Sequence, residues 1–417
     1  MSADASVPLN PWAQRAAHVI PGGASTGSKR PDALYGTALA SDLPTHLRRA
    51  FGCRLETADG RVLVDCSMAL GAVALGYADP EVTAAVQEAA ANGPAGGLSP
   101  LLEIELAEQL TDVIPCAEQV RFLKSGAEAT SAAVRLARAH TGRDVVIASG
   151  YFGWHDWSNP GPGVPWQAHA DVHHVPFDDV DALDAAVLDA GERLAAIVIE
   201  PLVHRIASHE WLLAARTRCD QRGAVLVFDE IKTAFRIRTG GVQQAVGVTP
   251  DLTSIGKAMA NGYPLAAVVG SRAVMRAAHR AWVSSTLASE TTALAAARVV
   301  IERHRRRAVC DDLARVGERM QQVMRQALEP HALGIHVDGP APMWRLHSDE
   351  PDVLDALVAA VVREGVLLKR GAYQFASLAH DDEAIESIGQ AIANAGAHLR
   401  AYREAHGTWA PQNTEPK

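Results

Sequence analysis

The chain has 417 residues, of which 48% are apolar, and a formal net charge of −9. This length and apolar content are enough for one large α/β domain with a substantial core and a second, smaller domain. The negative charge argues against nucleic acid or an anionic membrane surface as the main partner, and we predict neither.

Cysteine usage and the N-terminal sequence indicate the compartment. The five cysteines are widely spaced and form no CxxC pair, which supports neither a disulfide framework nor a zinc ribbon. The first residues show neither the basic nor the apolar region of a signal peptide, and no apolar run is long enough to span a membrane. We therefore predict a cytoplasmic protein.

Helix signals and short apolar runs alternate along the chain. Asp79 and Ser99 each stand as a helix N-cap before a proline, and further amphipathic helices are predicted at 126–142 and around 385–399. Five runs are predicted as strands that are buried on both faces: "VRFLKS" (120–125), "DVVIAS" (144–149), "AAIVIE" (195–200), "AVLVFD" (224–229) and "LAAVVG" (265–270).

This alternation predicts an α/β fold with a parallel sheet. The strong strand signals end near residue 305. We predict a large domain at 61–305, and a smaller α+β domain at 306–417 that the N-terminal segment 1–60 joins.

Four features fall where predicted strands end, which is where open α/β sheets bind ligands. The segment "KSGAEAT" (124–130) is a strand-to-helix turn whose backbone N–H groups would hold a phosphate, although an ordinary tight connection fits it too. Glu200 and Asp229 end two apolar strands; Asp229 would keep a pyridine nitrogen protonated, or serve only as a helix cap. Lys257 lies among small residues, ahead of another apolar run.

A phosphate cradle, a carboxylate and a lysine in apolar surroundings together describe a site for pyridoxal 5′-phosphate (PLP). Lys257 would form a Schiff base with the cofactor, release it to a substrate amine and then carry the proton. Desolvation would lower the pKa of Lys257 and make its neutral amine available.

Three other kinds of site are not supported. Asp251 stands where a Walker A motif needs glycine, and "GGASTG" (22–27) lacks the spacing of a dinucleotide-binding loop. His169 and His173 would share one face of a helix, but their segment is typical of a strand and loop, so we predict no metal site.

The chain resembles the class III (ornithine/omega-type) aminotransferases, PLP enzymes of fold type I, and within them the glutamate-1-semialdehyde aminomutase-like branch. The resemblance covers nearly the whole chain in an ordered set of segments: "IPGGAS", "GYADPEV", "FLKSGAEATSAAVRLARAHTGR", "YFGWHDW", "IEP", "FDEIKTAFR", "GVTPDLTSIGKAMANGYPLAAVVG" and "SLAHDDEAIE". It implies the fold type I architecture, PLP as cofactor, small-molecule substrates and a homodimer with shared active sites.

The resemblance also implies roles for individual residues. Lys257 would hold the cofactor, Asp229 would contact its ring nitrogen, and Glu200 would support the site. The other implied cofactor positions are Ser125, Gly126 and Ala127 at the phosphate, Ile231 and Tyr151 on the two ring faces, Phe152 beside Tyr151, and Thr286, which would reach the phosphate of the neighbouring subunit.

Several positions depart from the pattern of the family. Phe152 replaces a common histidine, and Lys232 and Ala234 stand where a neutral residue and a glycine are usual. The segment after Thr286 departs from the aminomutase pattern. These changes weaken the assignment to tetrapyrrole biosynthesis and leave the cofactor residues intact.

The substrate residues are less clearly marked. Leu70 stands in place of an aromatic pocket residue, and the substrate-carboxylate arginine of the semialdehyde enzymes would fall at Lys29 or Arg30. We take Arg30, Leu70 and Tyr151 as the candidate substrate residues. The segments "SKRP", "GWHDW" and "LKRGAY" resemble aminotransferases of aminoglycoside biosynthesis, the neamine type, and a polycationic substrate would suit the negative charge.

The favoured function is transfer of an amino group between a donor, with glutamate expected, and a carbonyl on a sugar or aminoglycoside-type metabolite. One alternative is a PLP-dependent isomerase: a glutamate-1-semialdehyde-like 2,1-aminomutase, or an amino-sugar epimerase with Cys66 or Tyr151 as a second base. The remaining alternative is a non-catalytic PLP-binding protein. The joint presence of Lys257, Asp229, Glu200 and Thr286 argues against that alternative.

Overall fold

A computed structural model describes residues 10–36, 43–371 and 373–409. The predicted N-terminal segment 1–60 is therefore described only in part, because residues 1–9 and 37–42 lie outside these ranges. The chain forms two units: one contains the residues up to Asp79 together with those from Leu313 onward, and the other is Pro80–Asp312.

Fourteen strands lie in the described residues. They are β1 (Leu47–Phe51), β2 (Arg54–Thr57), β3 (Val62–Asp65), β4 (Gln119–Leu123), β5 (Val145–Ser149), β6 (Val172–His174), β7 (Leu194–Ile199), β8 (Val225–Asp229), β9 (Leu252–Ile255), β10 (Ala266–Gly270), β11 (Ile335–Asp338), β12 (Met343–Ser348), β13 (Val366–Leu367) and β14 (Tyr373–Phe375).

The same ranges contain thirteen α-helices. They are α1 (Pro11–Val19), α2 (Pro31–Tyr35), α3 (Pro80–Ala91), α4 (Leu101–Val113), α5 (Gly126–Thr141), α6 (Val180–Ala190), α7 (His209–Arg222), α8 (Val242–Val246), α9 (Arg272–Met275), α10 (Thr291–Arg306), α11 (Val309–Leu328), α12 (Pro351–Arg363) and α13 (Asp382–His406).

The unit Pro80–Asp312 is built on a seven-stranded sheet with the order β4-β10-β9-β8-β7-β5-β6. All five predicted strands are present, and the sheet is parallel except at β10. This strand pairs antiparallel with both β4 and β9. The connection from Ile255 to Ala266 is too short for the helical crossover that a parallel strand would need, so the chain turns back instead.

Helices cover both faces of this sheet because its strands are apolar on both sides. Val146 and Ala148 of β5 pack in one core with α5. Val145 and Ile147 of the same strand point the other way, into a second core with α6 and α7. The period-2 alternation of a strand thus gives each face its own core, and this explains the uninterrupted apolar runs in the sequence.

The unit formed by the two ends of the chain has smaller sheets. One has the order β1-β2-β3-β13 and the other the order β11-β12-β14. Val366 of β13 pairs in parallel with Val64 of β3, so that residues from both ends of the chain share one sheet. Helix α12 packs against β12, β13 and α13. No helix in the described parts of the chain combines the length and the apolar character needed to cross a bilayer.

Candidate active site

The predicted site residues of the Pro80–Asp312 unit lie at one edge of its sheet. Asp229 is the last residue of β8, and Glu200 directly follows β7. Tyr151 lies two residues after β5, and Lys257 two residues after β9. Because these strands are parallel, their carboxyl ends meet at the same edge, where ligands of such sheets bind.

The turn between β4 and α5 is built as an anion-binding helix start. Ser125 caps α5, and its hydroxyl accepts the N–H of Glu128 at 3.3 Å. The Glu128 carboxylate in turn accepts the N–H groups of Ser125 (2.8 Å) and Lys124 (3.0 Å). This capping box fixes the turn, and the N–H groups that follow it stand at the positive end of a 16-residue helix. A phosphate fits such a position.

Asp229 is a buried carboxylate that is held in place by the backbone. Its Oδ1 accepts the N–H of Ile231 at 2.9 Å. Burial and the nearby Glu200 carboxylate raise the pKa of Asp229 from 3.8 to about 7, and Lys232 and Lys257 oppose that rise. Beside a cationic ring nitrogen, Asp229 would be held in its ionised form.

Glu200 has two partners in this site. Its Oε2 accepts the backbone N–H of Tyr151 at 2.9 Å, and its Oε1 lies 2.6 Å from Nζ of Lys232. Both charged side chains are largely buried. Lys232, known from the sequence only as a departure from the family pattern, is thus an ion-pair partner within the site.

Lys257 begins a short 3₁₀ turn, Lys257–Ala260. Its backbone φ of 47° lies in the left-handed region, which is strained for a residue other than glycine and recurs at functional positions. Burial lowers the pKa of Lys257, and the neighbouring cation Lys232 lowers it further. Both effects increase the neutral form of the amine, which is the nucleophile.

Ile231 lies between two segments of the site: the turn at residues 125–127, which we call the phosphate turn, and the loop that carries Lys257. A methyl group built on Gly126 would lie 3.1 Å from Cγ2 of Ile231, and one built on Gly256 would lie 3.2 Å from its Cδ1. The side chain that the sequence assigns to a cofactor ring face therefore lies between Gly126 and the residue preceding Lys257.

Three predicted residues of this unit lie in different surroundings. Tyr151 is 70% exposed, so its ring is accessible. The ring of Phe152 is buried and stacks on Trp157 with a centroid distance of 5.7 Å, while its carbonyl accepts the Thr130 hydroxyl. Thr286 is exposed on the turn before α10.

Arg30 and Leu70 belong to the other unit. Arg30 precedes α2, and its side chain lies against Gly22. Leu70 lines a cavity of about 290 Å³ together with Lys29, Asp65 and Lys369. The sequence offers Lys29 and Arg30 as positions for a residue that binds a substrate carboxylate. Lys29 is the one of these two that lines a cavity with Leu70.

Glu230 is a buried acid whose role the sequence does not reveal. It accepts the N–H groups of Val242 (2.8 Å) and Gln243 (2.9 Å) and the hydroxyl of Thr233. With all these donors within its own unit, Glu230 is a structural anchor. Glu230 directly follows the last residue of β8, and no sequence pattern distinguishes its role from that of Asp229.

The chain matches the sequence model of the class III aminotransferases over residues 37–156 and 162–395. It belongs to this family. A 2′-deamino-2′-hydroxyneamine transaminase from Streptomyces kanamyceticus is 33% identical over 393 residues, which cover 92% of this chain and 98% of that enzyme. A glutamate-1-semialdehyde 2,1-aminomutase from Methanothermobacter thermautotrophicus is 33% identical over 410 residues, which cover 90% and 95%.

Comparison with solved structures supports the assignment of this chain to the class III aminotransferases. The FumI protein of Sphingopyxis sp. MTA144, in its PLP internal aldimine form, superposes with a TM-score of 0.90 at 28% identity, over 96% of this chain and 98% of that one. The predicted family, fold type I architecture and PLP dependence are confirmed.

The residues of the aminotransferase fit this cofactor. The start of α5 suits the phosphate, Asp229 suits a ring nitrogen, and Lys257 offers a partly buried amine whose pKa is lowered. When bound, PLP supplies an aldehyde that condenses with amines and a ring that accepts negative charge. Among the described residues no three His, Cys, Asp or Glu side chains are placed to hold a metal ion.

Proposed function

We propose that this class III aminotransferase moves an amino group between an amine donor, with glutamate expected, and a carbonyl on a sugar or aminoglycoside-type molecule. The observation that carries the proposal is that a partly buried amine with a lowered pKa, Lys257, lies at the same sheet edge as the buried carboxylate of Asp229. In this proposal the unit Pro80–Asp312 is the cofactor-binding domain, and the other unit is the smaller domain.

The residues of the site would divide the work as follows. Nζ of Lys257 binds the cofactor, yields it to the incoming amine, and then accepts and returns the proton that is moved. Asp229 holds a proton on the ring nitrogen, so that negative charge is stabilised by an electrostatically prepared site. Backbone N–H groups at Gly126 and Ala127 hold the phosphate, and Ile231 and Tyr151 bracket the ring.

The substrate class is supported by the similarity to an aminoglycoside transaminase, which extends over nearly the full length of both chains. A cationic amino sugar would also suit a protein with a net charge of −9. The equally similar glutamate-1-semialdehyde aminomutase makes an aminomutase the second candidate. An epimerase with Cys66 as its second base is less well supported, because burial raises the pKa of the Cys66 thiol well above its ordinary value and keeps it protonated, so that it cannot accept a proton.

We further propose a homodimer in which Thr286 contributes to the phosphate site of the neighbouring subunit. Thr286 is exposed, and so are apolar side chains close to it in sequence, including Trp282 and Leu287. Exposed apolar groups of this size often mark contact surfaces.

All five cysteines are unpaired and buried, which is consistent with operation in the reducing cytoplasm.

Absorption spectroscopy of the purified protein with PLP would test the proposal. Lysine-bound PLP absorbs visible light, and we expect this band in the wild type but not in Lys257→Ala. L-glutamate alone should convert the band to that of the amine form of the cofactor, and so should neamine alone. A band that neither amine changes would contradict transamination of these substrates and favour the isomerase. Failure of the wild type to form any band would overturn the assignment of Lys257.

A further inference from the structure

The Lys232–Glu200 ion pair is a costly feature to place beside a reactive site. Nζ of Lys232 lies 2.6 Å from Oε1 of Glu200, and their side chains are only 11% and 8% exposed. Removing two charges from water carries a desolvation penalty that a good geometry only partly offsets.

Glu200 is also fitted closely to the backbone that presents Tyr151. Its own N–H donates to Ser149 O at 3.0 Å, and its Oε2 accepts the Tyr151 N–H at 2.9 Å. Gly150 has φ of 136°, and a methyl group built on it would lie 2.6 Å from Cγ of Glu200. A carboxylate is a stronger acceptor for the Tyr151 N–H than a neutral group would be. A partner that fixes the position of the Glu200 carboxylate therefore also fixes the backbone at Tyr151.

The charges of the site balance only when Lys232 is counted. Glu200 and Asp229 are two buried carboxylates, and Lys257 is the amine that must be neutral to react. Lys232 opposes the effect of Glu200 on Asp229, and it acts on Lys257 together with Arg236. Among the described residues, Glu200 and Lys232 act on both Asp229 and Lys257, the latter two act on each other, and Arg236 acts on Lys257.

We propose that Lys232 is a positioning residue of the aminotransferase site, which fixes the Glu200 carboxylate against the Tyr151 backbone and places a cation close to Lys257. The inference rests on the proposed function, in which Lys257 is the amine that binds PLP. Lys232 has no contact with substrate in this proposal. It acts through its partner Glu200 and through its own positive charge.

The test is the pH midpoint at which the visible band of the PLP-loaded protein changes. In Lys232→Met a cation near Lys257 is lost, so the midpoint should rise by about one pH unit. In Glu200→Gln the carboxylate is lost and Lys232 remains, so the midpoint should fall. The double variant K232M/E200Q removes both charges and keeps an acceptor for the Tyr151 N–H. It should fold and show a midpoint above that of the wild type, because Lys232 has the larger effect on Lys257.

Arg216→Met is the matched control. Arg216 pairs with Asp251 at 2.9 Å, with side chains 18% and 28% exposed, and the Asp251 carboxylate accepts the N–H of Leu226 near the opposite ends of the strands. Its loss removes a partly buried ion pair of the same unit, and the midpoint should stay at the wild-type value. A purely structural role for Lys232 predicts the same unchanged midpoint for K232M.

The outcomes separate the two proposals. Midpoints that move in opposite directions in K232M and E200Q, with R216M unchanged, support the inference. The inference is overturned if both K232M and E200Q keep the wild-type midpoint. It is also overturned if both shift in the same direction and R216M shifts with them. Either result leaves the proposed function intact. If the wild type forms no band with PLP, the proposed function fails and this inference fails with it.

Discussion

Replacing Gly153 with alanine should damage the phosphate turn from a distance. Gly153 has φ of 95°, and a methyl group built on it would lie 2.5 Å from Cβ and 3.0 Å from Cα of Ala127. A separation of 2.5 Å is too short for two carbon atoms that are not bonded to each other, so one of the two backbone segments must move. Ala127 is the second residue of α5, and its displacement would shift the N–H groups that we assign to the phosphate.

Two contributions set the size of the effect. A left-handed conformation costs a residue with a side chain about 1–2 kcal/mol. Overpacking adds about 1–3 kcal/mol, for a total loss of stability of about 2–5 kcal/mol. Gly142 separates the two contributions, because it has φ of 69° but no atom within 4 Å of the built methyl group. Gly142→Ala should therefore lose only about 1–2 kcal/mol.

The assay is urea unfolding of both variants, together with spectroscopic titration with PLP. We expect Gly153→Ala to bind PLP at least about tenfold more weakly, equivalent to 1.4 kcal/mol or more, and Gly142→Ala to bind it like the wild type. If Gly153→Ala matched Gly142→Ala in both stability and PLP affinity, the contact with Ala127 would not position the phosphate turn, and the reasoning would be refuted.

Two further predictions concern the neighbouring acids at the end of β8. The pKa of Asp229 is raised from 3.8 to about 7 in the folded protein. As the pH rises from about 4 to above 7, the unfolded chain loses this proton before the folded protein does. The cofactor-free protein should therefore lose stability over that range, by at most about 4 kcal/mol. Asp229→Asn should remove most of that loss in urea unfolding at pH 5 and pH 8, while aminotransferase activity falls at least about 100-fold. Glu230→Ala should lower stability by at least about 3 kcal/mol at both pH values, because it strands three buried donors.

Four strands, β5, β7, β8 and β10, could be predicted from the sequence because they are apolar and buried along their whole length. The run "VRFLKS" also forms a strand, β4, but Arg121 is exposed there, so the prediction that it is buried on both faces is wrong. The strands β6 and β9 are not predicted, because β6 has only three residues and the buried β9 contains Thr253 and Ser254. The direction of β10 could not be predicted in the same way, since an apolar run such as "LAAVVG" has the same pattern in either direction. Direction depends on the length of the connection, and on which neighbours the strand pairs with.

The candidate site could be located for a related reason. Parallel strands place their carboxyl ends together, so Asp229, Glu200 and Lys257 could be grouped before any distance was known. The direction of the Phe152 ring could not be predicted, because a residue in an irregular loop has no periodicity that fixes its side chain. The role proposed for Thr286 depends on contacts with a second subunit, and no periodicity within one chain encodes such contacts.

Lys232 shows a different limit of prediction from sequence. Gly126 and Gly153 are constrained by space, because a side chain there would meet Ile231 or Ala127. Lys232 is constrained by charge, because it must balance Glu200 within a buried site. A charge balance can be met by an ion pair or by two neutral groups, so the residue can differ from the family pattern while the site keeps its chemistry. The departure at position 232 is therefore better read together with its partner at position 200 than as an isolated substitution.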